Sequence, residues 1–94
     1  MQERIRNLCR RIISAYGTRA QADKCCEEMA ELATALYHFR DGKATMQEVI
    51  TEIADVLFTA TQMAIIFGED DVTKEMERKM LRMEMKLDSN DKQR

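Results

Sequence analysis

The sequence predicts an all-α protomer, a bundle of four helices, and three observations carry that expectation. There is no proline and there are only three glycines, Gly17, Gly42 and Gly68, so the breakers divide the chain into four segments and nothing favours a sheet. Apolar residues recur within the segments at steps of three and four, the spacing of a helix face. Thr18-Arg19-Ala20-Gln21 and Thr45-Met46-Gln47-Glu48 both have the Ser/Thr-x-x-Glu/Gln form of a capping box, in which two side chains satisfy the donors of a helix start reciprocally.

The first helix carries Ile5, Leu8, Cys9, Ile12, Ile13 and Tyr16 on one stripe and stops at Gly17. The second is expected from about Arg19 to Phe39, behind the Thr18 capping box. A connection from about Arg40 to Ala44 contains Asp41-Gly42, a turn signal. The third helix is expected from about Met46 to Phe67, with Gly68 ending it and Asp70 or Asp71 capping the fourth. Val72, Met76, Met80, Met83 and Leu87 mark the apolar stripe of that last helix. From about residue 88 the chain is polar and reads as a tail that frays.

Composition bounds what such a protein can do. Ninety-four residues make one domain, residues 1–94, and a chain this short buries only about 60–65% of its unfolded surface, which favours self-association. Lys+Arg 15 against Asp+Glu 17, a net charge of −2, lacks the basic footprint of a nucleic-acid partner. No uncharged apolar run reaches about 18 residues, and the charged opening MQERIRNLCRR does not resemble a secretory segment, so neither a membrane nor export is expected. Cys9, Cys25 and Cys26 form no C-x-x-C pair; an odd count with two neighbours suits reduced thiols in the cytoplasm.

The third helix is unusual in where its charges fall. Ile53 to Phe67 reads IADVLFTATQMAIIF, with 11 apolar positions in 15, so it is expected at the centre, enclosed by its neighbours. Glu48, Glu52, Asp55, Thr59 and Gln62 nevertheless gather in a sector roughly 80° wide. Gln21, Lys24, Glu28 and Glu31 share a sector of similar width on the second helix. At a rise of about 1.5 Å per residue, Glu31 and Glu28 lie roughly 12 and 16 Å from Phe39, and Glu52 and Asp55 roughly 9 and 14 Å from Met46. A short connection makes these helices antiparallel, which sets the four acids side by side.

Four clustered carboxylates repel one another, and a divalent cation resolves the conflict; an all-oxygen set suits Mg²⁺ or Mn²⁺ over zinc. A di-iron bundle needs Glu-x-x-His on two helices, whereas the one histidine, His38, follows Ala35 at that spacing. The plain alternative is that the acids are solvated charges on helix faces. Two pairs at matched heights, one on an otherwise apolar helix, favour the metal.

These residues also resemble a family signature. Glu27-Glu28-x-x-Glu31, twenty residues, then Glu52-x-x-Asp55 is similar to the EExxE…ExxD pattern of the MazG-like all-α nucleoside triphosphate pyrophosphohydrolases. Tyr16-Gly17, Gln21-x-x-Lys24 and Glu31-Leu32 look like the text of its short phage and bacterial members, so the resemblance covers nearly the whole chain. The Cys-Pro-Trp-Asp stretch that precedes the first helix of MazG proper is absent.

The resemblance implies Mg²⁺-dependent hydrolysis of a nucleoside or deoxynucleoside triphosphate to the monophosphate and pyrophosphate. It implies Glu28, Glu31, Glu52 and Asp55 as metal ligands, the four the helical wheel selects. Glu27, about 100° from Glu28, reads as a residue acting through water. The resemblance also implies a homodimer or a dimer of dimers.

Around the acids, Lys24 is placed to meet phosphate or to pair with Glu28 four residues on, and Gln21 to bind sugar or base or to cap its helix. Lys79 and Arg82 share a face of the fourth helix and are placed to close over phosphates or to remain solvated. Met76, Met80, Met83 and Met85 give that helix two apolar contacts, one of them between subunits. A competing expectation is a helical self-association or adaptor module without catalysis.

Overall fold

The computed structural model describes residues 2–92, with side chains through Asn90. Four helices follow in order, α1 Glu3–Tyr16, α2 Thr18–Arg40, α3 Met46–Phe67 and α4 Glu69–Lys92, and no strand occurs among the described residues. The all-α expectation is met, with helix ends within a residue or two for the first three. The tail expected from about residue 88 is helical as far as Lys92. From Asp88 to Lys92 nothing breaks the helix, and Gln93 and Arg94 lie outside the described residues.

The two capping boxes divide. At Thr45 the box forms as expected: the Glu48 N–H donates to Thr45 Oγ1 at 3.1 Å, and the Thr45 N–H donates to the Glu48 carboxylate at 2.9 Å. At Thr18 no side-chain cap forms. Gly17 alone separates α1 from α2, and its φ of 92° provides the break. Its N–H bonds Ile13 O at 2.8 Å while its carbonyl accepts from the Gln21 N–H at 3.2 Å. Thr18 is thereby drawn into the first turn, where it cannot cap. A similar one-residue break, Gly68 at φ 127°, separates α3 from α4. The fourth helix therefore starts at Glu69, and Asp70 and Asp71 sit inside its first turn instead of capping it; three acids there complement the helix dipole.

Packing joins α2 along the length of α3, with α1 against both. Among the described residues, the buried apolar side chains are Cys9 and Cys25. α4 packs on α3 and meets α1 only at its base, and its described side chains beyond Glu69 are all exposed. The described residues thus form three packed helices with an arm, not a closed four-helix bundle. The connection explains the difference: antiparallel helix hairpins use about 2–5 linking residues, and the single residue Gly68 cannot turn α4 back along α3. Arg6 holds the base of the arm through paired bonds to Glu69, Nε to Oε2 at 3.1 Å and Nη2 to Oε1 at 2.7 Å. The hydrogen bonds from Arg6 hold the Glu69 carboxyl below the usual carboxylate range.

α3 is enclosed on one side only. Its buried residues are Thr59 and Gln62, whereas Leu57 is 64% exposed. It is also, among the described residues, the one helix long and apolar enough to cross a membrane.

Candidate metal centre

The side of α3 turned toward α2 is its polar seam. Glu28 and Glu31 from α2 and Glu52 from α3 offer carboxylate oxygens that all lie within 4.8 Å of one another. Glu28 is only 5% exposed. Glu52 is half-buried and Glu31 exposed, so the cluster opens to solvent on the Glu31 side. Asp55, half-buried, stands outside this group of three and faces Glu28 in the adjoining cleft. The heights expected along the helices are reproduced in that arrangement: Glu28 and Asp55 share one cleft, Glu31 and Glu52 another.

The electrostatics are unbalanced. Lys24 Nζ lies 3.2 Å from Glu28 Oε1 and 4.0 Å from a Glu27 oxygen. The hydrogen bond to Glu28 raises the Lys24 ammonium above its ordinary value. One of the two readings of Lys24, the ion pair four residues on, is therefore realised. Oε2 of Glu28 and Oε2 of Glu52 remain buried with no hydrogen-bond partner. Burial pushes the Glu52 carboxyl above the usual carboxylate range, and the charges of Glu31, Asp55 and Glu28 push it the same way. Buried acceptors without donors are costly. Converging carboxylate oxygens are what a hard divalent cation requires, so the donor set fits Mg²⁺ or Mn²⁺.

Two clefts flank the acids. One, of about 360 Å³, is walled by Ile12, Tyr16 and Phe58 and carries Gln21, Lys24 and Gln62. The other, of about 550 Å³, is lined by small side chains together with His38, Lys43 and Glu48 beside Glu31 and Glu52. Glu48 spends its carboxylate on the Thr45 cap, which is why it shares the polar sector without joining the cluster. Gln21, released from capping, lines the first cleft. Glu27 has an exposed side chain paired loosely with Lys24. Lys79 and Arg82 lie on the exposed arm, where Lys79 Nζ is 4.0 Å from Glu75, and neither lines a cleft beside the acids.

Sequence reasoning missed the apolar walls and the His38–Lys43 pair. The signal for Tyr16 was its position at the end of the α1 stripe, next to the glycine that turns the chain. His38 and Lys43 are joined by the Lys43 N–H to His38 O bond of 2.7 Å, which with the Gly42 N–H to Phe39 O bond makes a helix-ending turn around positive-φ Gly42, so Asp41-Gly42 was its sequence signal. Comparison of this chain with protein families, with curated proteins and with solved structures finds no match.

Proposed function

We propose that this protein is a Mg²⁺-dependent nucleoside triphosphate pyrophosphohydrolase of the MazG-like kind, acting on nucleoside or deoxynucleoside triphosphates in the cytoplasm. The observation that carries the reading is the convergence of Glu28, Glu31 and Glu52 within 4.8 Å, with two carboxylate oxygens buried and unpartnered. An acidic cluster serving only solubility has no reason to bury oxygens against each other. Glu28, Glu31 and Glu52 would hold the metal, with Asp55 joining them from the cleft side. Bound there, Mg²⁺ supplies charge neutralisation and Lewis acidity for phosphoryl chemistry.

The chain's own residues have separable parts. The acids fix where the triphosphate must lie. Lys24, which already reaches Glu28, is positioned to exchange that partner for a phosphate oxygen. Glu27, exposed and beside Lys24, is placed to orient water. In the reaction water adds to the α-phosphorus, the α–β anhydride bond breaks, and pyrophosphate leaves with the bridging oxygen. Lys79 and Arg82 can contribute only across a subunit boundary, because the arm does not return to its own clefts.

The working form on this reading is a homodimer or a dimer of dimers. The exposed apolar faces of α3 and α4 equally favour a second reading, a helical self-association module without catalysis. Pyrophosphate release, screened over the common NTPs and dNTPs with Mg²⁺ or Mn²⁺, separates the two. An enzyme releases pyrophosphate and monophosphate in equal amounts and is stabilised thermally by the metal. A module shows neither response.

A further inference from the structure

The cleft beside Glu28 and Asp55 contains a group that metal binding does not use. Gln62 is 2% exposed, and its Oε1 is buried with no hydrogen-bond partner. An amide oxygen left so is unfavourable unless a water or a ligand in the cleft supplies the missing donor. Around it stand Ile12, Tyr16 and Phe58, with a second amide, Gln21, in the same cleft. Tyr16 is 71% exposed, so its ring is available to cover a planar ligand.

Aromatic walls and amides adjoin the acids on one side. On the other, the cleft holding His38 and Lys43 has no Phe, Tyr or Trp and sets those two side chains beside Glu31, Glu48 and Glu52. With a divalent cation on the acids to offset their charge, this arrangement suits an elongated ligand that is flat and hydrogen-bonding at one end and polyanionic at the other.

We propose that Gln62 is the specificity-determining residue of the site, its amide reading the hydrogen-bonding edge of the nucleobase in the Tyr16–Phe58 cleft. The phosphates then run past Glu28 and Asp55 toward His38 and Lys43. A primary amide presents a donor and an acceptor side by side, the pattern that pairs with adjacent groups on a base edge. The identity of the ligand rests on the pyrophosphohydrolase reading; the role of Gln62 rests on its burial and its orphaned oxygen.

The experiment titrates the full-length ¹⁵N-labelled protein with adenosine, guanosine, cytidine, uridine and thymidine monophosphates, with Mg²⁺ and with EDTA. It follows the Gln62 side-chain amide and records each Kd for the wild type, Q62L and Q62N. One base should bind at least about tenfold more tightly than the others, from the value of a good bidentate pair. The Gln62 amide resonance should move with that base, and Q62L should level the Kd values. Q62N, which keeps an amide but shortens it, serves if Q62L does not fold, and should weaken the preference.

Equal binding of all the monophosphates, no binding at millimolar concentration, an unmoved Gln62 resonance, or a preference retained in Q62L would each overturn the proposal. Base-selective binding through Gln62 without NTP hydrolysis upholds it and sinks the enzymatic reading. Hydrolysis whose base preference survives in Q62L does the reverse.

Discussion

Glu52 is where the protein's stability and its candidate chemistry conflict. Its carboxyl is raised above the ordinary 4.5 by burial and then by Glu31, Asp55 and Glu28. The folded state therefore holds this proton more tightly than the unfolded chain does. The resulting stabilisation is complete below the unfolded value near 4.5 and is lost as pH rises through the elevated folded value. Once ionised, this carboxylate opposes folding, a cost that a cation bound beside it would relieve. The metal-free E52Q variant should accordingly melt above the metal-free wild type at pH 7, with the difference closing toward pH 4. E52Q should also lose the Mg²⁺-induced rise in Tm. On the proposed pyrophosphohydrolase reading, turnover should fall by at least about 100-fold, since residues that merely orient a metal ligand cost about 10–100-fold. Thermal melts across pH, with and without Mg²⁺, check this. A destabilised E52Q that still responds fully to Mg²⁺ would make the cluster structural.

At the level of elements, the start of α3 matters because it sets the height of Glu52 and Asp55 against α2. Both arms of the Thr45–Glu48 box are made, at 3.1 and 2.9 Å. T45A should cost about 1 kcal/mol, a fall in Tm of roughly 4–8 °C for a domain of this size. T45S should restore most of it, because the hydroxyl is the acceptor. A T45A melt that matches wild type would show that packing against α2, not the cap, fixes the start. The failed box at Thr18 teaches the complementary point. A capping sequence acts only where the preceding backbone leaves its first residue outside the helix, and Gly17 took that place.

For the molecule as a whole, surface area is the governing quantity. The accessible surface is 7675 Å², whereas a compact monomer of this mass exposes only about 5,600 Å². The radius of gyration, 16.8 Å, likewise exceeds the roughly 12 Å expected for a compact domain. Much of the excess is apolar: Leu57 on α3 and Met76, Met80, Leu81, Met83 and Leu87 on α4 are all more than half exposed. The surplus, about 2,000 Å², exceeds the roughly 800 Å² per partner that a standard protein interface buries. Light scattering without detergent should thus return a dimer or tetramer at micromolar concentration. L57K with M80K should reduce the mass toward that of one chain. A wild-type monomer would leave the arm unexplained, and mass recovered only with lipid would turn the apolar face toward a membrane.

The four-helix order, the α3 boundaries and the acid pairs were legible in the sequence, because helical periodicity and breaker positions are local and because 1.5 Å per residue converts spacing into height. Glu28 and Asp55 sharing a cleft beside Glu31 and Glu52 follows from that arithmetic alone. Three matters needed the tertiary structure. Whether α4 folds back depends on the one-residue link at Gly68 and on the Arg6–Glu69 pair, 63 positions apart in sequence. Which oxygens are buried and orphaned, on Glu28, Glu52 and Gln62, depends on how α1, α2 and α3 close over the seam. Which side of α3 faces inward was the third: apolar abundance placed this helix at a centre, yet the chain turns its polar seam inward and leaves its apolar side exposed. Periodicity locates a face, and only the packing of neighbours decides what covers it.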